Sequence, residues 1–270
     1  MTGILAVALV ALIALTLVVR LSERHLAFFP FTGETRTPEE FGLAFEPVFV
    51  SSSDGETIHG WWIPADSPRA QVVYLHGNGG NLSLWVDILA DVRRRGVSVF
   101  AIDYRGYGRS TGQPSEQGLY RDVDAALAWI DGGGLTAGVP VVYWGRSLGA
   151  TMAAYAAHRR PPDGVILEAG FYDMRALLAG APPMWALSWL SSYRFPTAEW
   201  MRGVDRPTLV LHGDQDSVVP FRAGQRLFDA LPGPRRFVTI EGGDHNDAEP
   251  AQPDVYWGAI DAFLDGLPRP

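Results

Sequence analysis

The pattern Gly-x-Ser-x-Gly occurs twice in the sequence, at residues 108–112 and 145–149. A serine on a sharp turn between a strand and a helix presents an exposed hydroxyl that can act as a nucleophile. Ser147 has this context, because an apolar run precedes it and an alanine-rich helical sequence follows it. Ser110 is followed by Thr-Gly-Gln-Pro, which cannot continue a helix. We therefore predict that Ser147 is a nucleophile and that Ser110 lies in a loop.

A serine hydroxyl is a weak nucleophile at neutral pH, so it needs a base and an acidic residue that orients the base. Among the six histidines, His245 follows the last predicted strand in a flexible, glycine-rich loop. His76 and His212 each precede a glycine at a strand end, and we expect their rings to bond nearby backbone. We predict that His245 is the base; the alternative is a solvated loop histidine.

The orienting acid is expected between the serine and the histidine in the chain. Asp216 follows a predicted strand in His-Gly-Asp-Gln-Asp-Ser-Val-Val-Pro, residues 212–220. Asp214 in the same loop and Glu168 at the end of the preceding strand are the alternatives. We predict Asp216, which gives the chain order Ser147, Asp216, His245.

A developing oxyanion needs N–H donors beside the nucleophile. Residues 76–81, His-Gly-Asn-Gly-Gly-Asn, follow a predicted strand and precede a predicted helix. We predict that the main-chain amides of Asn78 and Leu148 are the donors. A phosphate-binding loop is the competing interpretation, but the sequence contains no Gly-x-x-x-x-Gly-Lys-Ser/Thr pattern.

The elements that must position these residues alternate between strand and helix from residue 45 onward. Two strands around Asp54-Gly55 predict a hairpin, and the later apolar strands alternate with helices. This pattern predicts an α/β fold whose mostly parallel central sheet is covered by helices on both faces. Sites in such sheets form at the carboxyl ends of the strands, where the predicted residues lie.

Residues 1–19 contain no ionisable side chain and, as a helix, would span roughly 28 Å, close to a bilayer core. We predict a single-pass membrane anchor over residues 1–24 and a juxtamembrane linker over 25–44. A buried core helix is the alternative; a cleaved signal peptide lacks its basic start and cleavage site. Arg20 and Arg24 favour a cytoplasmic catalytic domain by the positive-inside rule. The aromatic residues within 25–31 lie either at the headgroup level or against the domain.

Composition excludes several classes of protein. The chain is 47% hydrophobic and 19% charged, which excludes a disordered protein. Its net charge of −8, without a basic run, argues against nucleic-acid binding. The absence of cysteine excludes disulfides, zinc–thiolate sites and thiol catalysis. We expect neither a metal nor an organic cofactor.

An apolar, aromatic insert at about residues 174–204 predicts a small helical lid. Trp185 and Trp189 fall on one face of a helical stretch, with Tyr193 following them. We assign these three residues to substrate binding, as a hydrophobic wall for an acyl chain. Two alternatives remain open: ordinary packing of the lid on the core, and a face for a dimer or a bilayer.

Five segments together resemble the α/β-hydrolase superfamily. They are residues 76–81, residues 103–112 (Asp-Tyr-Arg-Gly-Tyr-Gly-Arg-Ser-Thr-Gly), residues 145–149, residues 212–220 and residues 244–247 (Asp-His-Asn-Asp). With an apolar N-terminal helix, they resemble membrane-anchored alpha/beta-hydrolase-domain serine hydrolases. The resemblance implies a catalytic domain over 45–270, and Ser147, Asp216 and His245 as its triad.

The expected function is a serine hydrolase that cleaves carboxylic esters, lipid-like or acyl, through an acyl-enzyme on Ser147. An acyl-protein thioesterase, a lysophospholipase or a monoacylglycerol lipase would use the same residues. An amidase or a peptidase would too, because the motifs do not encode the leaving group. A hydrolase-fold protein that binds lipid or a partner without catalysis is the alternative of a different class.

Overall fold

The computed structural model describes residues 2–179 and 187–268. The strands are β1 (Phe29–Pro30), β2 (Glu46–Ser51), β3 (Thr57–Ile63), β4 (Ala70–Leu75), β5 (Gly79–Gly80), β6 (Val97–Ile102), β7 (Val141–Arg146), β8 (Gly164–Glu168), β9 (Thr208–Gly213) and β10 (Arg235–Ile240). The helices are α1 (Thr2–Ala27), α2 (Leu82–Arg94), α3 (Glu116–Trp129), α4 (Leu148–Arg159), α5 (Met174–Ala179), α6 (Leu187–Leu190), α7 (Thr197–Met201), α8 (Phe221–Ala230), α9 (Ala248–Ala251) and α10 (Pro253–Asp265), with short turns at Pro38–Phe41 and Ile130–Gly134.

Eight strands form the central sheet in the order β10-β9-β8-β7-β4-β6-β3-β2. The β2–β3 hairpin pairs antiparallel, as does β3 with β6, and every other neighbouring pair is parallel. The α/β-hydrolase fold with a mostly parallel sheet is confirmed. The strands that carry the predicted site, β4, β7, β9 and β10, all end at the same edge.

Side chains on the two faces of the sheet pack into two separate cores. On β4, Val73 and Leu75 join the core that contains α3 and α4, whereas Val72 and Tyr74 join the core that contains α2 and α10. Successive side chains of a strand point to opposite faces, so an uninterrupted apolar strand is buried on both sides. Because helices cover both faces, the strands are held rigidly, and the site residues that follow them project from a fixed edge of the sheet.

Helix α1 stands apart from both cores. Its segment Gly3–Ala27 has a mean hydropathy of 2.8 and is long and apolar enough to cross a bilayer. Its leucines are exposed, for example Leu5 at 66% and Leu9 at 58%, so the alternative of a buried core helix is wrong. The helix continues three residues past the predicted boundary at residue 24.

The chain that follows α1 is attached to the α/β domain. Strand β1 pairs in parallel with β5, so residues predicted as linker belong partly to a small sheet. The aromatic residues within 25–31 were predicted to lie either at the headgroup level or against the domain, and each interpretation fits part of the segment. Phe28 is buried and packs edge-on against Tyr193, with ring centroids 5.4 Å apart, whereas Phe29 and Phe31 are exposed.

Candidate active site

Ser147 lies on the turn between β7 and α4, at the carboxyl end of a central strand. Its φ of 55° and ψ of −116° form a strained conformation for a residue with a side chain. A Cβ atom on Gly145 would lie 1.9 Å from the Gly149 oxygen, and one on Gly149 would lie 1.8 Å from the Leu75 oxygen. Both glycines are therefore needed for helix α4 to approach the strands closely enough to form this turn.

His245 lies between Ser147 and Asp216, although the three residues are far apart in the chain. Its Nδ1–H donates to Asp216 Oδ2 at 2.8 Å. This tautomer leaves Nε2 as an acceptor for the Ser147 hydroxyl, whose Oγ is 3.0 Å away. Both distances are within hydrogen-bond range. The three side chains that were predicted separately from the sequence are thus linked by two consecutive hydrogen bonds.

Asp216 is held by the loop in which it lies. Its Oδ1 accepts main-chain N–H bonds from Val218 at 2.9 Å and Val219 at 2.7 Å. Burial raises the pKa of the Asp216 carboxyl, but hydrogen bonds from His212 and His245 lower it more. The resulting pKa is well below the usual range of an aspartate, so the carboxylate stays ionised and can stabilise a protonated His245.

The two alternative acids have other partners. Asp214 accepts a main-chain N–H bond from Gly242 at 2.8 Å, which joins two loops. Glu168 forms a buried ion pair with Arg146, with Nη1 and Oε1 3.2 Å apart. Asp216 is the carboxylate that contacts the His245 ring.

Arg146 is a site residue that the sequence analysis missed. Its Nη2 donates to the main-chain oxygen of His245 at 2.6 Å, and its guanidinium lies 5.1 Å from the centroid of the Trp85 ring. Burial lowers the pKa of Arg146, but Glu168 together with Tyr74, Tyr256 and Asp216 raises it by more, so the pKa exceeds its ordinary value. The available signal was its place as the second residue of the Gly-x-Ser-x-Gly pattern.

Asn78 and Leu148, the predicted oxyanion donors, line the same cavity as Ser147. The Asn78 side chain is held at both ends of its amide. Tyr107 Oη donates to Asn78 Oδ1 and also to the Asn78 main-chain oxygen, each at 2.9 Å. Asn78 Nδ2 donates to the Ala27 oxygen at the end of α1, 2.7 Å away. The main chain at Asn78 is therefore fixed by contacts from a neighbouring loop and from α1.

The cavity at Ser147 has a volume of about 610 Å³. Its described lining residues include no aspartate and no glutamate. The wall is mostly apolar, formed by Ala27, Phe29, Leu84, Trp85, Leu148, Phe171, Met174, Leu177, Phe195, Val218 and Val219. Such a wall suits an uncharged, hydrophobic group beside the nucleophile.

The lid residues lie differently from the prediction. Trp185 falls outside the described residues. Trp189 lies beneath the Arg175 guanidinium, 4.3 Å from the ring centroid, and lines a second cavity together with Tyr193. Neither aromatic residue lines the cavity of Ser147, because the insert turns Met174, Leu177 and Phe195 toward it instead.

Ser110, the serine of the first Gly-x-Ser-x-Gly pattern, is engaged in a loop as predicted. Its hydroxyl donates to the Asp103 main-chain oxygen at 2.6 Å and accepts the His59 N–H at 2.8 Å. His76 and His212 also bond nearby backbone, through Gly77 O at 2.6 Å and Val219 O at 2.9 Å respectively. Within residues 2–179 and 187–268, we find no cluster of three or more His, Asp or Glu side chains that could hold a metal ion.

Comparison with known proteins places the chain in a family. Residues 66–206 match the family described as "Serine aminopeptidase, S33", which is a family of α/β-hydrolases. The chain belongs to this family. It is 34% identical over 262 residues to the Mycobacterium tuberculosis protein Rv2307c, and the match covers 96% of this chain and 93% of the relative.

Two further comparisons extend the likeness to a second relative and to a solved structure. The S33 hydrolase is 31% identical over 236 residues to the Saccharomyces cerevisiae membrane protein YNL320W, covering 84% of this chain and 82% of the relative. The solved structure of the Pyrococcus furiosus esterase Pf2001 superposes with a TM-score of 0.72, covering 89% of this chain and 97% of that one. At 17% sequence identity, this second likeness concerns the fold.

Proposed function

We propose that this S33 hydrolase is a serine esterase that cleaves carboxylic esters through an acyl-enzyme on Ser147 and is anchored in a membrane by α1. One observation carries the proposal: the continuous hydrogen-bonded chain from Ser147 through His245 to the ionised Asp216. This arrangement can remove a proton from the serine and stabilise the imidazolium that results. An apolar cavity beside the serine supports a hydrophobic ester as substrate.

In the proposed reaction, Ser147 Oγ attacks the ester carbonyl while its proton passes to His245 Nε2. The main-chain N–H groups of Asn78 and Leu148 bind the oxyanion of the tetrahedral intermediate. The intermediate then expels the alcohol, which takes the proton from His245, and leaves the acyl group on Ser147. Water attacks the acyl-enzyme by the same steps and releases the carboxylic acid. Asp216 keeps the imidazole oriented throughout.

None of the described residues that line the cavity of Ser147 is acidic, which favours an ester over a peptide with a free amino terminus. A protonated amino group placed in an apolar cavity needs a carboxylate partner, since an unpaired charge there costs several kcal/mol or more. The described walls offer none. The family description names an aminopeptidase, so aminoacyl p-nitroanilides test whether the chain cleaves such substrates. We expect slower turnover with them than with esters.

The geometry at the end of α1 supports a permanent anchor instead of a cleaved leader. The Glu23 carboxylate accepts hydrogen bonds from Ser191 Oγ at 3.0 Å and from the Ser192 main-chain N–H at 2.8 Å. Ala27 accepts the bond from Asn78 and lines the catalytic cavity. Removal of α1 would take away these contacts. Arg20 and Arg24, which follow the apolar segment, support a catalytic domain on the cytoplasmic side by the positive-inside rule.

The proposal is tested with p-nitrophenyl esters of two to sixteen carbons and a fluorophosphonate probe, on the full chain in detergent. Ser147→Ala should lower turnover by roughly 10⁴-fold and abolish labelling. Ser110→Ala is the matched control, since it removes the serine of the other Gly-x-Ser-x-Gly pattern, and it should keep the label. An unlabelled wild type that is folded would instead indicate a non-catalytic lipid or partner binder.

Thioesters and oxyesters of equal chain length separate the remaining substrate classes. An acyl-protein thioesterase would use the same cavity and prefer the thioester, whereas the proposed esterase turns over both with the same dependence on chain length.

The anchor and its orientation are tested separately. Resistance of the protein to extraction by sodium carbonate would support the anchor. Digestion of the catalytic domain only when protease reaches the cytoplasmic side would support the orientation.

A further inference from the structure

A second cavity, of about 590 Å³, lies between the end of α1 and the lid. Arg20 lines it from α1, and the rest of the wall comes from segments within residues 172–175 and 188–202. Arg20 is the first charged residue after the uncharged part of α1, which spans about 27 Å as a helix. In a spanning helix, such a residue lies where the hydrocarbon core meets the headgroups. The cavity therefore opens at the level of the lipid phosphates.

The cavity is positively charged although the chain carries a net charge of −8. Four arginines line it, Arg20, Arg175, Arg194 and Arg202, against Asp173 and Glu199. In the part of the chain that the structure describes, Glu199 pairs with Arg194 at 3.6 Å, and no ion pair is made by the other three arginines. Asp173 is engaged by the main-chain N–H of Ala176 at 2.5 Å. The segment 180–186 contains no acidic residue that could neutralise them.

The contact between α1 and the lid holds Arg20 beside the other arginines. Glu23, one helical turn after Arg20, is 9% exposed and bonds both Ser191 and Ser192. These two serines belong to the same wall of the cavity. The four guanidinium groups are thus presented by a membrane helix and a domain that are fixed to one another.

The cavity also contains the aromatic residues expected at a membrane boundary. Trp189 is 68% exposed and stacks under the Arg175 guanidinium, and Tyr193 lies near the end of α1, against Phe28. Tryptophan and tyrosine rings prefer the headgroup region, where an apolar body and a polar edge are both satisfied. Exposed arginines beside them match a phosphate diester, which accepts paired N–H bonds from a guanidinium.

We propose that this cavity binds the phosphate of an anionic phospholipid of the surrounding membrane. The site is separate from the cavity of Ser147, and it gives Trp189 and Tyr193 a role outside the acyl-binding wall. The proposal rests on the membrane insertion of α1 proposed above and is independent of the chemistry at Ser147. Charge complementarity and the depth of Arg20 select the lipid over other anions, because a free anion gains nothing from the membrane boundary.

The test uses full-length Ser147→Ala protein in a neutral detergent, so that no lipid is turned over. Native mass spectrometry measures the binding of phosphatidylglycerol and of phosphatidylcholine of equal chain length. We expect phosphatidylglycerol to bind about tenfold more tightly, and the triple variant Arg175→Gln, Arg194→Gln, Arg202→Gln to lose that preference. The matched control is Arg206→Gln, Arg235→Gln, Arg236→Gln, which removes the same charge from exposed arginines that do not line the cavity.

Three results would overturn the proposal. The first is equal binding of the two lipids, and the second is an equal loss of preference in the control variant, which would indicate general charge attraction. The third is displacement of phosphatidylglycerol by inorganic phosphate at comparable concentration, which would indicate a site for a free anion. Carbonate extraction of the same variants reports insertion of α1 separately, and fluorophosphonate labelling in the Ser147 background reports the esterase proposal separately.

Discussion

The Arg146 guanidinium donates a hydrogen bond of 2.6 Å to the main-chain oxygen of His245, which joins the residue before Ser147 to the loop that carries the imidazole. The two residues are 99 positions apart in the chain. Arg146 is itself fixed by its ion pair with Glu168, which also accepts bonds from Trp144 Nε1 at 3.1 Å and Tyr256 Oη at 3.0 Å. A buried cation thus sets the position of the histidine loop relative to the serine.

Loss of the hydrogen bond between Arg146 and His245 should lower kcat while leaving KM nearly unchanged. We expect Arg146→Met combined with Glu168→Gln to reduce kcat roughly 10- to 100-fold with little change in KM, because His245 loses its fixed distance to Ser147. The double variant avoids the unpaired buried Glu168 carboxylate that Arg146→Met alone would leave. Steady-state kinetics with a p-nitrophenyl ester measures the effect, and Arg109→Met on the surface is the control. An unchanged kcat in a folded double variant would contradict the positioning role.

The turn at Ser147 should tolerate no side chain at Gly149. A Cβ atom at Gly149 would lie only 1.8 Å from the main-chain oxygen of Leu75. Neither the helix nor the strand can move easily, because both are packed in the core. We expect Gly149→Ala to lower the free energy of unfolding by about 3 kcal/mol or more. Gly258→Ala is the matched control, because Gly258 lies within α10 with open space around its Cβ direction. That change should raise stability by up to about 1 kcal/mol in chemical denaturation.

Asp216 should contribute a pH-dependent part of the stability. Burial raises the pKa of Asp216, and the bonds from His212 and His245 lower it by more, so the folded pKa lies below the unfolded value of about 3.9. The ionised carboxylate therefore stabilises the fold above that pH, and the contribution is lost as the pH falls toward the folded pKa.

We expect Asp216→Asn to be less stable than the wild type at pH 6, with the difference shrinking below about pH 4. Thermal unfolding at a series of pH values measures this. Asp229→Asn, a change at an exposed residue of α8, should track the wild type throughout. A difference between Asp216→Asn and the wild type that is the same at pH 3 and pH 6 would contradict the assignment of an ionised, stabilising Asp216.

The Tyr107 hydroxyl should support catalysis without touching the substrate. It bonds both the main-chain oxygen and the side chain of Asn78, whose amide is a proposed oxyanion donor. Tyr107→Phe should lower kcat roughly tenfold with a smaller change in KM, because the donor loses its fixed place in the transition state. The control is Tyr155→Phe, which removes a bond to Asp124 on α3. Equal kinetics for the two variants would rule out this role of Tyr107.

Local pattern was sufficient to locate Ser147, unlike Ser110, between a strand and a helix, because the strand, the sharp turn and the helix are all readable in neighbouring residues. The predicted places of Asp216 and His245 rest on similar grounds. Carboxyl ends of parallel strands meet at one edge, so residues that follow those strands are brought together by topology alone. The alternating pattern likewise predicted the α/β fold, because burial on both faces demands continuous apolar strands.

Long-range packing decided what local pattern could not. Arg146 meets His245, and Ala27 meets Asn78, only through contacts between distant segments, and no periodicity encodes such pairs. The same reason explains why Trp189 and Tyr193 line a different cavity from the one predicted: Trp189 lies on the short helix α6 and Tyr193 in the loop after it, and the orientation of such segments depends on what they pack against, here the end of α1. The sequence thus determined which residues stand at the sheet edge, whereas the tertiary contacts determined which side chains hold them and which cavity each aromatic ring lines.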